Sequence, residues 1–223
     1  MPTPYPSLRS AGLIFLTIAV AMTLAMTALL SVDDPVHLKY LIEDSGPVQL
    51  TGQTAVACAF ALALWYSMAD TIRRKSYLML SYLLMFYTLR EADYHYKVSE
   101  YAKATQFKRF FSHEMIPLST KVFLGVIVLL FLVVLYRYLK QEKATFLAAL
   151  RFRLPWALAA FGWAGVFVIS QLIDQIPIFH TTIGQVFEEV FEASAEILAL
   201  LAMIFFRVQL RAPGAVRLQP DQP

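Results

Sequence analysis

Four glutamates, Glu188, Glu189, Glu192 and Glu196, stand in the stretch QVFEEVFEASAEILALLAMIFF, whose second half is apolar enough to cross a membrane. With Gln185 taken as zero and 100° per helical residue, Glu189 falls at roughly 40°, Glu192 at −20°, Glu196 at 20° and Glu188 at −60°. All five polar side chains therefore share about 100° of one helix face. Carboxylates inside a bilayer are costly and by default mark a functional site. Glu188 and Glu189 read as sitting at the N-terminus of the helix, where its dipole favours acids and accounts for them. That leaves Glu192 and Glu196, which can bind a metal, share protons, or pair with a buried cation.

Other polar residues stand near the ends of apolar segments. In YTLREADYHYK, Glu91 and His95 are four apart on one helix face, with Thr88 between them in angle. Such a pair can ligate one metal or share one proton. A zincin helix needs two histidines, and a single one is also compatible with a hydrogen-bonded structural residue. Arg90 points away from that face and can neutralise a glutamate of a neighbouring helix, while Asp93 and Lys97 read as a surface pair. Glu43 and Asp44 lie in EDSGP, where Pro47 suits the first turn of a helix capped by Asp44, Ser45 or Gly46. Gln49 and Gln53 follow on one face, among the small residues Gly52, Ala55, Ala57 and Ala59 that let helices approach closely. In VISQLIDQIP, Ser170 and Asp174 are four apart, as are Gln171 and Gln175.

Carboxylates with one imidazole suit zinc, iron or manganese. The expected ligands are Glu91, His95, Glu189 and Glu192, with Glu196 or Asp174 as general base and Glu43, Asp44, Arg90 and Asp93 completing a polar site. The corresponding chemistry is hydrolysis of a lipid or envelope substrate. Two other readings compete: proton or cation transport, since chains of Glu and His build proton relays, and an accessory scaffold whose acids pair with Arg90 and Lys121.

Positioning these groups requires a membrane domain. Of the 223 residues, 58% are hydrophobic and only 16% charged, against about 45–50% and 25% in soluble domains. A crossing helix needs about 20 apolar residues. Six segments qualify, at about 11–31, 48–69, 76–92, 118–138, 155–173 and 186–206, forming one all-α bundle over 1–210. The tail 211–223 is rich in proline and reads as disordered. The first apolar run is too long for a signal-peptide core and reads as a retained span. The segment 93–117 mixes aromatic and basic residues and suits a helix in the headgroup region.

Lys and Arg set orientation. With the N-terminus inside, Arg9, Arg73, Arg74, Lys75, Arg137, Lys140, Lys143, Arg151, Arg153, Arg207, Arg211 and Arg217 are cytoplasmic. Of the acids, only Asp70, Glu142 and Asp221 join them. Both termini are then cytoplasmic and the acids gather on the outer side. The lone Cys58 rules out an intrachain disulfide, and the scattered basic residues form no nucleic-acid footprint. The bilayer itself is the expected partner.

The order EDSGP before the second span, LREADYHY at the end of the third and an acidic start to the last span resembles a loosely defined group of small bacterial inner-membrane proteins. That group carries an EDGP-like loop and an READxH-like element. The resemblance covers about residues 40–206, and Ser45 interrupts the Glu-Asp-Gly-Pro order. It implies an inner-membrane location and a shared site at Glu43, Asp44, Arg90, Glu91, Asp93 and His95 facing the periplasm, without naming its chemistry.

Overall fold

The structure, a computed structural model, describes residues 8–42, 46–91, 107–114, 116–176 and 181–211. Among them there are eight helices and no strand. They are α1 (Leu8–Leu30), α2 (Pro35–Ile42), α3 (Pro47–Ala69), α4 (Arg74–Glu91), α5 (Phe107–Ser112), α6 (Leu118–Arg151), α7 (Pro155–Gln175) and α8 (Thr182–Arg211). Four segments are long and apolar enough to cross a membrane: Gly12–Leu30, Pro35–Ala69, Leu118–Arg151 and Pro155–Ile173. They overlap the first, second, fourth and fifth expected spans, the second and fourth being longer than expected. The surface agrees with a lipid solvent, since Leu13, Leu16 and Leu24 of α1 and Val122, Phe123, Val126 and Leu129 of α6 are all more than half exposed. Exposed apolar surface on that scale marks a membrane or partner interface in any fold.

Hydroxyl groups in these helices are satisfied locally. Thr17, Thr23, Thr27 and Ser31 each donate to the carbonyl four residues back, at 2.7–2.9 Å. Polar side chains thereby sit in apolar helices without an open donor.

The chain divides into two compact units, Met1–Cys58 with Ala144–Pro223 and Ala59–Lys143. In the first, α7 packs along α8, and α1 and α2 pack against α8 as well. Helix α2 occupies what reads in the sequence as an outer loop. Asp34 starts it, accepting the Val36 N–H on its carboxylate at 3.0 Å and the Leu38 N–H on its carbonyl at 2.9 Å, with Pro35 at the first helical position. Its Leu38 and Ile42, one turn apart, join Leu29, Val186 and Val190 in a buried cluster. Gly46 heads α3: its carbonyl accepts the Leu50 N–H at 2.9 Å. At the opposite end Trp156 lies between Phe146 and Phe206, with ring centroids 5.9 and 4.9 Å away.

Helix α6 continues well beyond the expected 118–138 and ends in a tight connection to α7. The Leu154 N–H reaches the Ala149 carbonyl at 2.9 Å and the Arg153 N–H the Leu150 carbonyl at 2.9 Å. Arg153 has φ 53°. This is a Schellman closure, which glycine fills without strain. Pro155 then opens α7. Replacing the exposed Arg153 by glycine should relieve the left-handed strain and raise stability by about 1 kcal/mol. A higher thermal midpoint of the detergent-solubilised protein is the expected reading, and an unchanged or lowered midpoint would count against it.

In the second unit, α4 and α6 meet through stacked Phe86 and Phe131, centroids 4.3 Å apart. A polar triad also joins them. Gln141 donates to Ser76 at 2.6 Å, and Ser76 donates to the Glu142 carboxylate at 2.6 Å.

Candidate functional site

Helix α8 supplies the carboxylates. Thr181 caps it, with its hydroxyl accepting the Gly184 N–H at 3.2 Å and its carbonyl the Gln185 N–H at 3.0 Å. The helix therefore begins almost two turns before Glu188 and Glu189. Its dipole acts within the first turn, so it does not account for these two residues, contrary to expectation. Burial instead rises along the stripe. Gln185 is exposed, Glu188, Glu189 and Glu192 are half-buried, and Glu196 is 2% exposed.

Glu192 is held from α7. Ser170 Oγ and Gln171 Nε2 both donate to its Oε1, each at 3.0 Å. Ser170 is fully buried. Two donors converging on one oxygen fix the carboxylate's position and direction.

Glu196 faces α3. A methyl group on Gly52 would overlap its carboxylate Oε2 and stand 2.9 Å from the Cα of Ala193. The approach depends on small residues on both helices, since Ala193, Ser194 and Ala195 of α8 and Ala55 of α3 are all buried. Glu192 and Glu196 thus occupy successive levels of one helix face, the first tied to α7 and the second pressed against α3.

No family model, curated protein or solved structure matches the chain.

The remaining expected residues are placed as follows. Arg90 is half-buried in the last turn of α4, where a cation complements the helix dipole. Glu91 ends α4 and Asp174 lies in the last turn of α7, but the side chains of both are outside the described residues. Glu43, Asp44, Asp93 and His95 lie outside them entirely. Among the described residues no group of three or more His, Cys, Asp or Glu could hold a metal ion. The expected ligands Glu189 and Glu192 are adjacent turns of one half-buried face, and the oriented Glu192 is the group that could serve as an anchoring ligand. Spacing by four paired Ser170 with Asp174 and Gln171 with Gln175, whereas the structure aims the neighbours Ser170 and Gln171 at one acceptor. The role of Gly52 is legible only once the register of α3 on α8 is known.

Proposed function

We propose that the chain is a six-span bacterial inner-membrane protein, with both termini cytoplasmic and a cation-binding carboxylate site in its periplasmic half. Two helices beyond the four candidate spans support the six-span reading. Helix α4 has 18 residues and reaches about 27 Å at 1.5 Å per residue, and α8 has 30 residues. The distribution of Lys and Arg supports the orientation.

The observation that carries the functional reading is the orientation of Glu192 by Ser170 and Gln171. Metal-ligating carboxylates are held in place by such outer-shell donors. With Glu189 as a second oxygen donor, the site is proposed to take zinc, iron or manganese. A metal held there would polarise a carbonyl or phosphoryl group of a lipid or envelope substrate, and Glu196, one turn deeper than Glu192, would act as the base. Metal analysis of the purified protein tests this. Near-stoichiometric metal is expected in the wild type, with a large loss in Glu192→Gln at unchanged folding. A metal-free wild type that takes up neither zinc nor iron would overturn the reading.

The burial of Glu196 favours a second reading, in which the stripe carries protons or monovalent cations. A carboxylate deep in a bundle, following half-buried ones on the same face, is the form of a relay. Proton flux into proteoliposomes that persists unchanged in Glu196→Gln would exclude it.

A further inference from the structure

Within the second unit, α4 and α6 line an open cavity of about 640 Å³, bordered by Lys75, Leu78, Met79, Arg137, Lys140 and Gln141. We propose that it binds the headgroup of an anionic phospholipid from the cytoplasmic leaflet.

The placement of charge fixes its depth. Helix α6 carries no charged residue from Val122 through Tyr136, and Arg137 follows at once. Helix α4 begins with Arg74 and Lys75, and its next charged residue is Arg90. Lys75 and Arg137 are thus the first charges at the ends of two apolar runs, which is the level of lipid headgroups. Lys140 and Gln141 stand on the same face as Arg137, three and four residues on. Leu78 and Met79 stand likewise with respect to Lys75. The cavity lining therefore combines three cations with the apolar Leu78 and Met79, the chemistry of a phospholipid glycerophosphate with the start of its chains.

The acids nearest in sequence accept hydrogen bonds from groups other than Lys75, Arg137 and Lys140. Glu142 accepts hydrogen bonds from Ser76 at 2.6 Å and from Gln141 at 3.3 Å, and Asp70 accepts the Arg73 N–H at 3.1 Å. Among the described residues, Lys75, Arg137 and Lys140 have no acid partner. The Gln141–Ser76–Glu142 chain joins the two helices at the cavity and ties its walls together. Basic pockets between membrane helices on the cytoplasmic side bind acidic headgroups, each Lys or Arg near the surface adding about fivefold in affinity. The exposed Leu78, at 42%, and the half-buried Met79 favour a lipid over a free anion.

Native mass spectrometry of the full-length protein in mild detergent, titrated with chain-matched phosphatidylglycerol or phosphatidylcholine, tests the proposal. Phosphatidylglycerol should be retained about a hundredfold more strongly, from three cations at about fivefold each. Each of Lys75→Gln, Arg137→Gln and Lys140→Gln should lose about fivefold, and the three together should abolish the preference. The charge-preserving set Lys75→Arg, Arg137→Lys and Lys140→Arg should retain it, and Arg151→Gln should leave it unchanged. If the triple glutamine variant fails to fold, the three single variants decide. Equal retention of the two lipids, an equal loss in Arg151→Gln, or displacement of phosphatidylglycerol by millimolar inorganic phosphate would overturn the proposal.

Discussion

Gly52→Leu is expected to lower the unfolding free energy of the detergent-solubilised protein by about 3 kcal/mol, the upper end of the usual cost of overpacking a filled interior. The first added carbon already has no room. It would overlap the Glu196 carboxylate and lie 2.9 Å from the Ala193 Cα and 3.0 Å from the Glu196 Cδ. The carboxylate is the end of a flexible chain and can turn aside. Ala193 Cα is backbone, and it moves only if α3 and α8 separate. Gly52→Ala should therefore also be destabilising, despite a gain of about 1 kcal/mol in helix propensity. Glu196→Ala should rescue Gly52→Ala in part, because it removes the carboxylate but not the backbone, leaving a coupling energy of about 1 kcal/mol. Unfolding in mixed micelles by increasing sodium dodecyl sulfate reads these differences. A Gly52→Leu variant with the wild-type midpoint would mean that α3 and α8 are not in close contact at this level.

The apolar segments of the fold were legible because membrane spans announce themselves by length alone. The runs at 11–31, 118–138 and 155–173 need no tertiary information, and all are helical in the structure. Short elements and helix extensions are governed by local capping and packing and are harder to read. Helix α2 depends on Asp34, Pro35 and the one-turn spacing of Leu38 and Ile42, signals too short to stand out beside the polar EDSGP sequence. The continuation of α6 to Arg151 depends on the absence of a breaker before Leu154, which a count of apolar residues ignores. At the site, angular counting put Glu192 and Glu196 on one face correctly, but could not say which neighbour each meets. That depends on the registers of α7 and α3 along α8, set by Ser170, by Ala193 and by the lack of a side chain at Gly52. The helix start is hidden for a local reason. Glu188 and Glu189 look terminal until Thr181 is seen to cap the helix well upstream.

Glu192→Leu separates the structural from the chemical role of the stripe. It removes the acceptor of two hydrogen bonds while leaving the fully buried Ser170 hydroxyl in place. Hydrogen bonds between membrane helices average about 0.6 kcal/mol and reach about 1.7, so the expected loss is about 1–3 kcal/mol. Glu192→Gln keeps an oxygen acceptor and should lose less than half of that. Ser170→Ala should cost about 1 kcal/mol in the wild-type background and much less in Glu192→Leu, a non-additivity that marks direct contact. The same variants divide the functional readings. If Glu192 is a metal ligand, Ser170→Ala loosens its orientation and weakens metal affinity by about 10–100-fold, even at temperatures where the protein stays folded. If Glu192 only clamps α7 to α8, the stability losses remain and no bound metal is there to be lost. A Ser170→Ala variant with wild-type stability and wild-type metal content would contradict both roles, because it would show that the hydroxyl does not hold the carboxylate.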